Sequence, residues 1–230
     1  MRFVSWAELT DEIKNESTRK YYDILMQKKW QLKFKRILDI LLAFICLILL
    51  SPVILILAVL IKLDSGPVMF RQIRITQYMK EFKIYKFRTM VPNAEALGTQ
   101  VTSQNDMRIT KIGKVLRRYR LDEIPQLFNI IYGDMTFVGT RPEVPKYVRH
   151  YTHEMLATLL LPAGITSEAS IRYKDEDMLL ASADDADSVY INDILPKKME
   201  YNLAAIYDFS LANDFRTIVR TGIAMIIKNK

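Results

Sequence analysis

The stretch KVLRRYRLDEIPQLFNIIYGDMTFVGTRPEVP, residues 114–145, places an adjacent carboxylate pair, Asp122 and Glu123, close behind three arginines, Arg117, Arg118 and Arg120. Guanidiniums bind phosphate oxygens through paired hydrogen bonds and offset the charge that repels an anionic nucleophile. A carboxylate beside them can hold Mg2+ or attack phosphorus, as aspartates do in enzymes that form an aspartyl phosphate. The same residues also suit a salt-bridged surface, and an Asp-Glu dipeptide alone does not separate these readings. Elsewhere, His150 and His153 are spaced for one helix face but lack a third ligand, so they are read as surface residues. The acidic segments YKDEDM (173–178) and ADDADS (183–188) match no calcium loop and are read as solvated loops or helix starts.

The longest apolar run must help to place this chemistry. From Ile40 to Ile61 there are 22 residues without a charge, roughly 33 Å as a helix and therefore about the thickness of a bilayer core. A buried helix of a soluble core seldom lacks polar residues over that length, and a long charged segment precedes the run, unlike a cleavable signal. Lys28, Lys29, Lys33, Lys35 and Arg36 stand before it; Lys62, Arg71, Arg74, Lys80 and Lys83 come after. Cations near a membrane segment stay on the cytoplasmic side, so both ends claim the same compartment. A straight span breaks that preference at one end, whereas a helix that enters, bends and returns obeys it at both. Pro52 lacks an amide hydrogen and kinks a helix, and Ser51 can bond the freed backbone group. The expected element is a re-entrant helix over residues 37–63, kinked at Ser51-Pro52, with a single span carrying a tolerated proline as the alternative. Trp30 and Phe34, among lysines, read as an interfacial collar.

The remaining chain reads as a compact cytoplasmic unit. Residues 5–36 read as an amphipathic, interfacial helix with a capping box at Ser5 and Glu8. After a turn at DSGP (64–67), VMFRQIRI and EFKIYKF alternate like a β-hairpin. From about residue 92 the pattern is helical, with turns at YGD (132–134), GTRPEVP (139–145) and LPAGIT (161–166). In the last helix Phe215, Ile218, Val219, Ile223, Ile226 and Ile227 share a face that suits either the bilayer surface or core packing. The expected class is α+β and mainly helical, divided into an interfacial segment (1–36), the re-entrant helix (37–63) and a catalytic domain (64–230). Of the 230 residues 50% are hydrophobic and 26% charged, which fits a globular chain. Its net charge of +7 calls for an anionic partner, and the single cysteine, Cys46, excludes internal disulfides.

Six ordered blocks make the resemblance specific: KRILD (35–39), the apolar run with SP (51–52), GPVMFRQIRI (66–75), FKIYKFRTM (82–90), LRRYRLDEIPQLFNI (116–130) and GDMTFVGTRP (133–142). Together they resemble the bacterial sugar transferase family, the small monotopic polyprenyl-phosphate phosphoglycosyl transferases. That resemblance implies a membrane helix broken at Ser-Pro that enters the cytoplasmic leaflet of the bacterial inner membrane without crossing. It implies that Asp122 attacks the β-phosphorus of a UDP-sugar, expels UMP and holds the phosphosugar covalently until polyprenol phosphate takes it. Glu123 would act as a base or orient the lipid phosphate. Mg2+, held by Asp122, would neutralise diphosphate oxygens. Arg117, Lys86 and Arg88 would bind phosphate, with Arg141 and Pro142 at the nucleotide. Membrane lipids and a possible homodimer complete the implied partners.

Two departures leave the sugar open. Thr140 stands where the family turn carries proline, and the family's Pro-Gly-Ile-Thr-Gly segment reads PAGITS, with Ala163 inserted and Ser167 replacing glycine. With no large transmembrane domain ahead of residue 37, the likeness is to the small members. A non-catalytic lipid-binding scaffold is the competing reading; a nucleic-acid binder would leave Ile40–Ile61 unexplained.

Overall fold

The computed structural model describes residues 3–64, 66–94, 106–181 and 185–228. Ser5 and Glu8 form the expected capping box on a short 3-10 turn, Trp6–Glu8. The single helix expected over 5–36 does not form as one piece. Asn15 caps a separate helix, α1 (Glu16–Gln27), accepting from Thr18 N at 2.9 Å, and after Lys28 the chain turns into α2 (Lys29–Leu63). The division arises because the apolar residues before and after Lys28 serve one core. Leu9, Ile13, Tyr21, Tyr22, Leu25 and Leu32 pack together against Leu156, Leu160, Ile206 and Phe209.

α2 is long and apolar enough to cross a membrane by length and composition, and only 6% of its most apolar 18-residue window is buried inside the protein. That exposure excludes a soluble core helix. Helical structure continues through Pro52, whose missing N–H would have bonded the Ile48 carbonyl; Ser51 Oγ donates to that carbonyl instead, at 2.8 Å. One narrow stripe of α2 meets the domain along its length. Ala43 packs with Phe82, Leu127 and Met135, and farther on Ile61 packs with Phe87 and Leu116. Arg36 donates to the carbonyls of Ile131 and Met135 near one end, and Arg88 to those of Ile61 and Asp64 at the other.

The hairpin forms as read: β1 (Met69–Ile75) and β2 (Glu81–Phe87) pair antiparallel with Gln72 opposite Ile84. α3 (Lys111–Arg118) and α4 (Gln126–Tyr132) come next, and α4 ends on Gly133 at φ 94°, the left-handed turn that YGD signals. Two strands were not expected: β3 (Met135–Val138) pairs in parallel with β4 (Ala163–Thr166), so LPAGIT is largely strand rather than turn. Gly164 makes this possible, because a Cβ there would stand 2.2 Å from the Gly139 backbone nitrogen. Between them lies α5 (Pro145–Val148). The last part is helical: α6 (Glu168–Arg172), α7 (Glu176–Ala181), α8 (Ala186–Val189), a π-helical turn (Tyr190–Ile194), α9 (Leu195–Tyr207) and α10 (Leu211–Lys228). The acidic segments thus contribute α7 and α8, with Asp185 capping the latter at Ser188 N, 3.1 Å away; positions 183 and 184 lie outside the described residues. α10 is tied to the domain by Asp214 to Lys35 and by Thr221 to Thr166. Its Phe215, Val219, Ile223 and Met225 remain exposed, so that face is not core; the side chains of Ile226 and Ile227 lie outside the described residues.

Candidate active site

Two helices and the hairpin converge on the carboxylate pair. Thr110 caps α3 by accepting from Gly113 N at 2.9 Å, and Gly113 lets α3 press on the strand extension, since a Cβ there would meet Thr89 O at 2.0 Å. This close approach brings Arg117 Nε to Thr89 Oγ1, 2.9 Å apart. Arg120 adopts the left-handed conformation, φ 55°, and turns the chain into the 3-10 segment Leu121–Glu123. α4 is stitched to β2 by buried Asn129, which accepts from Tyr85 N and donates to Lys83 O, each at 2.9 Å. The β2 side chain Lys86 therefore faces the turn that carries Asp122 and Glu123.

The two carboxylates have opposite environments. Glu123 Oε1 accepts from Lys86 Nζ at 3.0 Å and from Arg141 at 2.5 Å, with Arg120 4.0 Å from its other oxygen. Burial alone would raise its pKa, but Arg141 and Lys86 outweigh that and hold it well below the usual carboxylate range. Reciprocally, Glu123 lifts the Arg141 pKa despite burial, whereas burial lowers that of Lys86 against the pull of Glu123. Asp122 is 8% exposed, and its carboxylate has no hydrogen-bond or salt-bridge partner among the described residues. Burial raises its pKa; Lys86 opposes this, neighbouring Glu123 adds to it, and Arg117 and Arg120 oppose it.

The residues singled out in the sequence thus separate. Asp122, Glu123, Lys86, Arg117 and Arg141 share one site. Arg88 instead donates to the Ile61 and Asp64 carbonyls and holds the end of α2; Gly66 gives it room, since a Cβ there would lie 2.2 Å from its guanidinium. Pro142 is buried, and its carbonyl accepts from Arg74 at 3.2 Å. His150 and His153 are exposed, as read. Sequence reasoning missed Asn129, Glu143, Tyr190 and Lys198, all buried polar residues with distant partners; no local pattern marks them. Gln126, beside the site, is fully buried and neither of its amide atoms has a partner in the structure.

For a divalent cation the donor set offers one carboxylate, that of Asp122. Among the described residues no three His, Cys, Asp or Glu side chains gather as a complete metal shell. Mg2+ is commonly held by one or two carboxylates, with phosphates and water completing its shell. Of the two carboxylates, that of Asp122 has no hydrogen-bond or ion-pair partner among the described residues, whereas that of Glu123 is occupied by Lys86 and Arg141.

The profile of the bacterial sugar transferase family matches residues 30–228. The chain belongs to the bacterial sugar transferase family. Within it, the chain is 40% identical over 191 residues to the UDP-N-acetylgalactosamine-undecaprenyl-phosphate N-acetylgalactosaminephosphotransferase of Aeromonas hydrophila, covering 81% of this chain and 42% of that protein. It is 35% identical over 193 residues to the UDP-glucose:undecaprenyl-phosphate glucose-1-phosphate transferase of Klebsiella pneumoniae, covering 82% of this chain and 39% of that protein. The chain therefore spans about four tenths of the length of those two relatives. A Bacillus subtilis relative is 41% identical over 147 residues, 63% of this chain and 80% of its own length.

Proposed function

We propose that this sugar transferase moves a phosphosugar from a UDP-sugar to polyprenol phosphate at the cytoplasmic face of the bacterial inner membrane, initiating glycan synthesis. The observation that carries this reading is the buried Asp122 carboxylate, without a hydrogen-bond or ion-pair partner among the described residues, beside a Glu123 that Lys86 and Arg141 hold. An oxygen of Asp122 attacks the β-phosphorus of the UDP-sugar; the bond to the bridging oxygen breaks and UMP leaves with the electron pair. The resulting aspartyl phosphosugar is then attacked by a phosphate oxygen of the polyprenol phosphate, which restores the carboxylate. Lys86, Arg117 and Arg141 stabilise the transferred phosphoryl oxygens and the leaving phosphate. Glu123, an anion locked between Lys86 and Arg141, serves as their template rather than as a base. Mg2+ on Asp122 would supply charge neutralisation at the diphosphate.

The membrane arrangement obeys the same geometry. The domain lines α2 from Ala43 to Ile61 and grips both of its ends. A straight span would draw the charged groups around Glu123 into hydrocarbon, where unsolvated charge is costly. Insertion of the outer face alone, as a re-entrant element in one leaflet, leaves the domain in water and the site at headgroup height. The exposed apolar face of α10 and Trp30, 81% exposed, supply further contact.

UMP release from a panel of UDP-sugars, with polyprenol phosphate and Mg2+, tests the reaction. Intact-mass measurement without the lipid should find phosphosugar on the wild type and none on Asp122→Asn. No release from any UDP-sugar would leave the scaffold reading in its place.

A further inference from the structure

Behind Arg141 lies a second buried charge cluster that the proposed transfer does not use. Glu143, two residues along the same loop, is buried, as are Tyr190 and Lys198. The Tyr190 hydroxyl donates to Glu143 Oε1 at 2.5 Å and accepts from Lys198 Nζ at 3.0 Å. Lys198 Nζ also stands 3.6 Å from that Glu143 oxygen and 2.9 Å from Glu176 Oε2. Burial, with the Glu143 and Glu176 charges, lifts the Tyr190 phenol pKa and keeps it a donor.

Holding the loop backbone does not require this cluster. Gly164 N donates to Thr140 O at 2.8 Å, Arg74 to Pro142 O at 3.2 Å, and Ile75 N to Glu143 O at 2.9 Å. What the cluster decides is where the Glu143 charge sits. Burying charged groups is costly unless they are paired, and the Glu143 and Glu176 charges both act on Arg141. Arg141 nevertheless makes its hydrogen bond to Glu123. A Glu143 carboxylate released from its partners would compete with Glu123 for that guanidinium and repel an approaching diphosphate.

We infer that Lys198 and Tyr190 are positioning residues for phosphosugar transfer: by occupying the Glu143 carboxylate they keep Arg141 on Glu123 and open to the nucleotide phosphate. The inference rests on the transfer reaction proposed above. It links Tyr190 and Lys198 to the chemistry, although neither is hydrogen-bonded or ion-paired to the carboxylate pair.

The test is steady-state UMP release by the full chain in detergent, with UDP-N-acetylgalactosamine and UDP-glucose as probes, alongside melting temperatures. Lys198→Met should raise the KM for the UDP-sugar about tenfold and change kcat less than about threefold, the pattern of lost ground-state binding. Adding Glu143→Gln removes the competing charge and should return KM to within about threefold of wild type, a coupling that independent packing defects do not produce. Tyr190→Phe keeps the ring and should raise KM about threefold, again suppressed by Glu143→Gln, so it serves where Lys198→Met fails to fold. An unchanged KM in these variants, or a defect that persists in the double variant, overturns the inference while leaving the transfer reaction intact. A wild type that releases no UMP from these probes or from any other UDP-sugar of the panel removes both.

Discussion

At the carboxylate pair, neighbouring residues receive different tasks because one is saturated with cations and the other is not. Asp122→Asn preserves shape but removes the anion proposed to attack, so turnover should fall on the order of 10^4-fold or more, read as UMP release, with membrane association retained. Glu123 has its folded pKa held below the unfolded value. Its stabilising contribution is therefore full above the unfolded pKa, about 4.3, and is lost as pH falls through the lower folded value. The melting-temperature advantage of wild type over Glu123→Gln should accordingly be constant near neutrality and shrink on acidification below that unfolded value. A difference that grows toward acid would mean that Glu123 is protonated in the native state. The Asp-Glu pair and its arginines are visible in the sequence as residue types, but which carboxylate is free is not. That depends on Lys86 and Arg141, which arrive from β2 and from the loop after β3.

Arg88, expected at phosphate, serves an element in this structure. Its guanidinium caps α2 through two carbonyls, so Arg88→Met should cost about 2 kcal/mol or more of stability. Its KM for UDP-sugar should stay within about twofold of wild type, whereas Lys86→Met should raise it. A parallel rise in both variants would return Arg88 to phosphate binding. In α2 itself, Ser51 answers the hydrogen bond that Pro52 cannot make. Ser51→Ala leaves the Ile48 carbonyl without that donor and should destabilise the helix by roughly 1–3 kcal/mol. Pro52→Ala should let the helix straighten toward a full span. Cysteine labelling that still places both flanks on the cytoplasmic side in that variant would make the proline dispensable. The hairpin and long helix were legible because their periodicity is local. β3 and β4 were not, because four-residue strands paired across residues 139–162 leave no alternation to read.

For the whole molecule, the decisive property is that one domain holds both ends of an apolar helix long enough to cross a membrane. Single cysteines placed at Lys14 and at Lys111 should both react with an impermeant reagent in inverted membrane vesicles and neither in right-side-out cells. Reaction from opposite sides would end the proposed one-leaflet arrangement and, with it, the proposal of a site at lipid-phosphate height. The net charge of +7 is consistent with attraction of anionic lipid and nucleotide at that face.

Composition, the apolar run and the ordered motif blocks determined by themselves the fold class, the long apolar helix and the family, because each is carried by neighbours in the chain. Tertiary structure alone decided that Asp122 is unpaired, that Glu123 is a locked anion, that Arg88 serves a helix end and that Glu143 is held by Tyr190 and Lys198. Those are properties of charge in a shared low-dielectric space, and such a space exists only after segments far apart in sequence have closed around it.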